Sequence, residues 1–422
     1  MVNSKDELFK IIKDKNVYCY GAGNYGKALA YILYDMDVDL KGFIVTNKKE
    51  SFNILLGKPI FQIDKLIISD DDCILVSVNE MLQDEIKNEL LSRNIFKFYC
   101  ISEKLIETLE ASIKFQFNTQ SNKFVNVLLY HRVCDLKVDP WRLATKPEQF
   151  ELQMKYIKEN YNILRFEDDW SNVKQKSIVI TFDDGYIDNY QYAIPILDKY
   201  NIPATFFICT DNIGTKDLFW WDELTTILFN PRVNGMELSY NNKKYKLNGQ
   251  TEKKKVCMEI RNLLIDMDDE KRRSDLKYIH NILSKVNFDV ESNRSMNIHE
   301  IREISKNHNI TIGAHTKSHT RLASLDYEQQ YIEINESKII LQNMIGTEVN
   351  VFSYPFGEEK DFTKKTIEIV KKSGFKKAAM VANGLYENSK GDFLINRNTI
   401  KGGINIDLFE RLIKRQWYEY RK

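Results

Sequence analysis

Two adjacent carboxylates, Asp183 and Asp184, close the apolar run Ser177–Phe182 (SIVITF) and are followed by Gly185. Such a run reads as a buried strand. Two like charges at its end are costly to keep ionised together unless a cation or a division of labour separates them. Neighbours on an extended chain point to opposite sides, so one acid can face a metal while the other faces a water. An Asp-Gly turn after a buried strand accounts for the same letters without chemistry. The second candidate set is His315-Thr316-Lys317-Ser318-His319, which follows the strand-like run Ile310–Gly313. Two imidazoles and one carboxylate form a catalytic zinc set with a position left open for water. A pair of surface or core histidines is the plainer reading.

Three further segments sit at strand ends or beside acids. Phe352-Ser353-Tyr354-Pro355-Phe356-Gly357 contains a Pro-Phe-Gly turn, and a turn can aim a backbone N–H at an oxyanion. Tyr130-His131-Arg132-Val133 ends the run Val125–Tyr130. Phe219-Trp220-Trp221-Asp222-Glu223 places two tryptophans beside acids, which suits sugar stacking and suits a packed core equally well. Near the start, Gly21-Ala22-Gly23-Asn24-Tyr25-Gly26 lies between a strand and a helix. Gly21, Gly23 and Gly26 thus have the context of a dinucleotide fingerprint, whose amides and helix dipole receive a diphosphate. The ribose-binding acid expected about 20 residues on is missing, since that stretch reads Ile44-Val45-Thr46-Asn47.

These segments need elements to hold them. Strands are expected at Val17–Tyr20, Leu40–Val45, Cys73–Val78 and Ile95–Tyr99, with helices at Asn24–Tyr34 and Met81–Ser92. That alternation implies a small parallel α/β sheet over residues 1–108. A polar stretch at 109–122 reads as a linker. Strands then recur at Val125–Tyr130, Ser177–Phe182, Ala204–Cys209, Ile310–Gly313 and Val349–Tyr354, with helices at Gln149–Asn160, Ala193–Tyr200, Tyr327–Met344 and Lys364–Ser373. Residues 123–422 form the second domain on this reading. A charged stretch at about 230–296, helical by composition, interrupts it as an insertion.

Composition narrows the class. The 422 residues fit two or three domains. Lys and Arg number 61 against 60 Asp and Glu, a net +1 that gives no reason to expect nucleic acid as a partner. The first residues, MVNSKDELFKIIKDK, lack a secretory apolar core, and no stretch approaches the length of a transmembrane helix. A cytoplasmic location is the expectation. The six cysteines at 19, 73, 100, 134, 209 and 257 form no C-x-x-C pair and read as buried reduced thiols.

The order T-F-D-D-G, then H-T-x-x-H, then Pro-Phe-Gly resembles the polysaccharide deacetylases of the NodB-homology type, carbohydrate esterase family four. The resemblance covers Phe124 to the C-terminus. It implies an irregular (β/α) barrel of seven strands with its site at the C-terminal strand ends. It implies Asp183 as general base, and Asp184, His315 and His319 as ligands of a divalent metal, zinc first; such a set also accepts cobalt, nickel, manganese or iron. The Phe356 N–H would meet the oxyanion, with Tyr354, Pro355, Trp221 and Asp222 contacting substrate. Tyr-His-Arg-Val resembles the branch acting on poly-N-acetylglucosamine, where the catalytic histidine precedes T-F-D-D-G. That makes His131 the acid, and no histidine follows His319. Many members carry Arg where Ser353 stands. Arg397 is the expected replacement that orients the base, with Arg132 the alternative, and Asp222 is a candidate to orient His131. The N-terminal segment is similar to the small Rossmann-like, nucleotide-binding-type domains attached to surface-sugar enzymes.

The expected activity is metal-dependent removal of N-acetyl groups from an amino-sugar glycan or its precursor, in surface polysaccharide biosynthesis. A lipid-linked or nucleotide-linked sugar would be the substrate met in the cytoplasm. Two other readings stand beside it. One is a degenerate barrel that binds glycan without turnover. The other is a sugar-nucleotide enzyme or oxidoreductase driven by a nucleotide held in the N-terminal domain.

Overall fold

Val17, Cys19 and Tyr20 are all buried on one short strand, β1 (Asn16–Tyr20), so both of its faces need cover. The computed structural model, which describes residues 1–47, 53–106, 123–283 and 290–417, supplies that cover from helices on a parallel sheet. The other strands are β2 (Leu40–Val45), β3 (Ile54–Leu55), β4 (Lys58–Gln62), β5 (Asp72–Val76) and β6 (Phe98–Cys100). Their order is β3-β4-β2-β1-β5-β6, and only the β3–β4 pair is antiparallel. Strand order therefore reverses at β1, the switch point of a doubly wound sheet. The helices Asn24–Asp35 and Glu80–Ser92 connect its strands. The expected 109–122 linker lies outside the described residues.

Contacts divide the chain into two units, Met1–Gln120 with Asp407–Lys422, and Ser121–Ile406. The expected second domain ran to residue 422, whereas the helix Ile406–Gln416 groups with the first unit. Phe409, Ile413 and Trp417, four residues apart, are buried along one face of that terminal segment, and the Arg411 guanidinium lies 3.8 Å from the centroid of the Tyr31 ring. A single amphipathic helix carries no letter that names the sheet it covers, which is why the sequence left it with its neighbours.

The second unit is built on β7 (Val125–Tyr130), β8 (Arg132–Val133), β9 (Ala144–Thr145), β10 (Asn162–Ile163), β11 (Ser177–Phe182), β12 (Ala204–Ile208), β13 (Glu237–Tyr240), β14 (Lys243–Lys246), β15 (Ile310–Ala314), β16 (Val351–Ser353), β17 (Lys377–Ala379) and β18 (Asn398–Thr399). Eight of these form one parallel sheet, seven in the order β17-β16-β15-β12-β11-β7-β18 and β10 paired to β11 beside that path. The sheet curls on itself: a parallel bridge joins Ala379 to Ile395, just before β18, and the Met380 N–H donates to the Ile395 carbonyl at 2.9 Å. This is the irregular (β/α) barrel that the resemblance implies.

Every residue of β7 and β11 is buried. On the inner side, Val125, Val127, Val179, Phe207, Val351, Ala379 and Ile395 meet in one cluster drawn from several strands. By strand alternation Val179, Thr181 and Asp183 share that face. On the outer side, Phe182 stacks on Phe206 at 4.6 Å, and Tyr130 meets Phe150 of the helix Pro147–Asn160 edge-on at 5.2 Å.

The insertion is not all helical. It opens with a hairpin, β13 and β14, whose two-residue loop Asn241-Asn242 is left-handed at both positions (φ 50° and 58°). Asparagine tolerates that conformation, and such primed turns fit the twist of paired strands. The helices Gly249–Leu264 and Asp269–Ile282 follow. Leu238, Tyr245, Val256, Ile260, Leu276 and Ile279 share one core with Trp220, Trp221 and Leu224 of the helix Trp220–Phe229. The insertion is thus packed directly onto the segment that carries the paired tryptophans.

Truncating Phe206 to Ala removes the stacking partner of Phe182 from a fully buried layer and costs about 3–5 kcal/mol. A urea titration of the variant is expected to show a lower midpoint for the barrel transition with an unchanged slope.

Candidate active site

The barrel strands deliver the candidate residues to one end of the sheet. β11 runs into Asp183 and Asp184, β15 into His315, β16 into the Tyr354–Gly357 turn, and β7 into His131. All are the C-terminal ends of parallel strands, where side chains from different strands converge.

Asp183 is held by two partners. Arg397 donates from Nη1 to Oδ1 at 2.6 Å and from Nη2 to Oδ2 at 2.7 Å. Ser353, at the position where a family arginine is expected, donates its hydroxyl to Oδ2 at 3.1 Å and accepts from Arg397 Nη2 at 2.7 Å. Burial would raise the Asp183 carboxyl, but the Arg397 guanidinium, with His315 and His131 adding, holds it well below the ordinary carboxylate range. Arg397 is fully buried with its guanidinium near the Phe207 ring. The alternative cation, Arg132, is engaged elsewhere: its Nε donates to Asp188 at 2.8 Å.

Asp184 has the opposite environment. It is buried, and Oδ1 accepts no hydrogen bond. Burial, with the charges of Asp183 and Asp222 added, pushes its pKa well above the usual value. That same Oδ1 lies 3.6 Å from His315 Nε2 and 3.4 Å from His319 Nε2. His315 Nδ1 sits 2.8 Å from the Ser353 carbonyl, which can only accept, so the proton is on Nδ1 and the Nε2 lone pair faces Asp184. Burial, with the Arg397 charge adding, depresses His315. Burial followed by the neighbouring His315 depresses His319 well below 6.5, so both imidazoles are neutral. One donor atom from each of the three residues lies within 4.8 Å of the others. An orphaned carboxylate oxygen against two neutral imidazoles, one with its Nε2 lone pair fixed toward it, is a donor set that a divalent cation completes.

Several supports of this set carry no chemical signature in sequence. Glu333, on the helix Tyr327–Ile345, accepts from the Lys317 and Ser318 amides at 2.9 and 3.0 Å and from the Ser318 hydroxyl at 2.7 Å. It clamps the loop between the two histidines. The His319 ring is met edge-on by Trp221 and Phe356, each at 4.7 Å. Asp184, Thr316, His319 and Phe356 all have φ between 55° and 74°. Left-handed backbone at non-glycine positions is a local strain that the surrounding contacts must hold.

His131 is half-buried, and its carbonyl accepts from Asn189 Nδ2 at 2.8 Å. Asn189 opens a π-helical turn, Asn189–Ala193, a distortion found often at functional sites. Burial lowers His131 to about 4, with Asp183 opposing and Arg397 and His315 adding to the fall. The Phe356 N–H donates to no acceptor among the described residues.

Four residues expected to contact substrate are buried or engaged with neighbours within the barrel unit. Tyr354 is fully buried, stacked on Phe362 at 4.1 Å with its hydroxyl donated to the Phe393 carbonyl at 3.2 Å. Pro355 is buried beside it. Trp221 is only 6% exposed and gives its Nε1–H to the Tyr186 hydroxyl at 2.8 Å, so it braces His319 instead of offering a free face. Asp222 accepts from that same Tyr186 hydroxyl at 2.7 Å and pairs loosely with Arg132 at 4.0 Å, so its carboxylate is engaged by this network. Aromatic-acid runs look alike whether they line a cleft or a core, because exposure is set by distant elements.

In the first unit, Gly21 (φ 120°) ends β1, and a Cβ there would meet the Ser77 carbonyl oxygen at 2.5 Å. A Cβ on Gly26 would meet the Gly21 oxygen at 1.9 Å, whereas Gly23 faces open space and caps the helix Asn24–Asp35. Gly21 and Gly26 are therefore required by strand–helix packing itself. Thr46, at the end of β2, donates its hydroxyl to Glu89 at 2.9 Å.

A curled parallel sheet that presents a split carboxylate pair and two imidazoles at its C-terminal ends defines a metal-type hydrolase barrel. The profile of the polysaccharide deacetylase family matches residues 171–246 and 280–378, so the second unit carries a polysaccharide deacetylase domain and the chain is an enzyme of that amide-hydrolysing class. YxkH of Bacillus subtilis (strain 168), whose name assigns it to the polysaccharide deacetylases, is 22% identical over 295 residues, 68% of this chain and 75% of that one. A poly-β-1,6-N-acetyl-D-glucosamine N-deacetylase of Staphylococcus aureus (strain N315) is 31% identical over 100 residues, 22% of this chain and 34% of its own length. The solved Streptococcus pyogenes deacetylase PplD, in complex with acetate, has a TM-score of 0.43 at 18% identity, over 71% of this chain and 99% of that one. Among the described residues no helix is long and apolar enough to cross a membrane.

Two outcomes follow from the protonation pattern. A divalent cation needs Asp184 ionised, so its binding expels a proton at any pH below the raised Asp184 value, and affinity rises with pH. Calorimetry in buffers of different ionisation enthalpy is expected to show about one proton released per zinc under those conditions. His315→Ala is expected to lose bound metal, read by elemental analysis; metal content equal to wild type removes His315 from the ligand set.

Proposed function

We propose that the barrel unit hydrolyses the N-acetyl group of an amino-sugar residue in a glycan, releasing acetate and a free amine. The observation that carries this reading is the division of labour between neighbouring carboxylates. Asp183 is kept ionised by Arg397 and Ser353, and Asp184 is kept partnerless against two neutral imidazoles.

Asp184, His315 and His319 would hold the divalent cation, zinc being the first choice for such a donor set. Bound there, the cation supplies Lewis-acid polarisation of the amide carbonyl and acidifies a water, which suits a base as weak as Asp183. Asp183 takes the proton from the attacking water. Its carboxylate cannot rotate while Arg397 and Ser353 hold both oxygens, so the orientation is paid once, in folding. The Phe356 N–H donates to the oxygen that becomes negative. His131, neutral in the free protein near pH 7, gains basicity as negative charge builds beside it and passes a proton to the leaving nitrogen.

The kinship with a poly-N-acetylglucosamine deacetylase supports a β-linked N-acetylglucosamine polymer, or a precursor of one, as the substrate class. A role in surface polysaccharide biosynthesis belongs to the same reading. The glycine loop of the first unit is proposed to hold a nucleotide-type phosphate at the helix start, with Gly23 facing open space.

Acetate release from N-acetylglucosamine oligomers, with zinc, with chelator and with Asp183→Asn, tests the proposal. The variant is expected to keep its metal and lose turnover by about 10²–10⁴-fold. Activity near wild type in Asp183→Asn would remove it as the base, and chelator-resistant release would remove the metal.

A further inference from the structure

The family profile leaves out residues 247–279, the stretch holding the insertion's first helix, Gly249–Leu264, and most of its second. That first helix carries Arg261 to the rim of the site. The Arg261 Cζ lies 5.6 Å from the centroid of the Trp141 ring and 5.7 Å from that of Phe356. Phe356 in turn touches the ring of His319 at 4.7 Å. One side chain thus spans the distance from the insertion to the candidate oxyanion donor.

Arg261 is half-buried, and among the described residues no carboxylate lies within 4.0 Å of its guanidinium. Among the described residues its guanidinium makes one hydrogen bond, a 3.5 Å contact from Nη1 to the side-chain oxygen of the adjacent Asn262. A guanidinium carries five N–H donors in a planar fork that matches carboxylate and phosphate oxygens. A second guanidinium, Arg321, sits 5.9 Å from the same Phe356 ring, but it is spent on Asp361 at 2.9 Å and on Asp266. Burial and the Arg321 charge both disfavour the Arg261 cation, and the nearest opposing charges, Asp361 and Glu358, act only at a distance. Glu358 already pairs with Lys360 at 2.6 Å. Trp141 and Phe356 are themselves only half-buried, so two partly exposed aromatic side chains lie beside the guanidinium. An arginine set between aromatic surfaces offers a sugar ring a stacking wall and an anion a forked donor.

We infer that Arg261 is a specificity-determining residue that binds an anionic group, phosphate or carboxylate, carried by the sugar substrate next to the acetamido group to be cleaved. The inference rests on the deacetylase reading for its reaction but not for its binding. It also gives the insertion a role at the site.

The test uses the full chain, first stripped of metal so that an anion cannot bind through a cation. Three probes are titrated and followed by tryptophan fluorescence: an N-acetylglucosamine trimer, N-acetylglucosamine 1-phosphate, and an N-acetylglucosamine–glucuronic acid disaccharide. At least one charged probe is expected to bind roughly tenfold or more tighter than the neutral trimer. The phosphate and carboxylate arms identify which anion is meant. Arg261→Gln is expected to abolish that preference, and Arg261→Lys to keep part of it. With zinc restored, the ratio of charged to neutral kcat/KM falls in parallel. Equal binding of all three probes, or a loss in Arg261→Gln shared by charged and neutral sugars alike, overturns the inference. Absence of acetate from every substrate would sink the deacetylase reading while leaving the binding comparison to decide Arg261.

Discussion

The bidentate pair between Arg397 and Asp183 is the contact on which the rest of the site depends. Both groups are buried, and the pair is planar, doubly hydrogen-bonded and reinforced by Ser353. Removing one member of such a buried pair costs about 3–5 kcal/mol, because the other charge is left uncompensated. The pair also sets the character of the next residue. Burial first, and then the anionic Asp183 beside it, make Asp184 costly to ionise, and its free oxygen is left facing two neutral imidazoles. The ion pair and the burial around it thus leave two neighbouring carboxyl groups in opposite environments. The pair also requires the curl of the sheet: Arg397 immediately precedes β18 at one edge and Ser353 ends β16 near the other, so a sheet bent round on itself brings both onto Asp183.

The strained backbone around the metal-type residues follows from the same demand for convergence. Aiming Asp184 and His319 at one point from two loops puts each in left-handed conformation. Glu333, Trp221 and Phe356 hold that arrangement from three separate elements. Trp221 is in turn embedded in the core that the insertion shares. The insertion is therefore coupled to a metal-type ligand through packing alone, by way of Trp221, and it reaches the rim directly with Arg261. An element that a family profile does not cover is joined to the chemistry at two levels, as a buttress and as a lining.

Much of this was legible in the letters. β2, β7 and β11 fall on the apolar runs that named them, Leu40–Val45, Val125–Tyr130 and Ser177–Phe182; β7 and β11 are buried throughout, and a fully buried parallel strand is a near-continuous hydrophobic string. The residues of the catalytic-type constellation were likewise visible as pairs at strand ends. Lys377–Ala379 and Asn398–Thr399 were not visible as strands: three and two residues, with polar letters among them, give no periodicity to read. The Asn241-Asn242 hairpin was hidden inside a stretch whose charge resembled a helix. The burial of Tyr354 and Trp221 was not legible, because an aromatic residue has the same letter in a wall as in a core.

The sequence by itself determined the alternation that makes two parallel sheets, the carboxylate pair, the spacing of the two histidines and the turn beside them. These are local properties, encoded within a few residues of one another. Tertiary structure alone decided which carboxylate is ionised, since that depends on Arg397, 214 residues away along the chain. It alone decided that Asp222 serves Tyr186, that the last helix covers the first unit, and that Arg261 reaches Phe356. Charge state and exposure are properties of a surrounding volume, and folding assembles that volume from segments whose order in the chain does not record their distance in space.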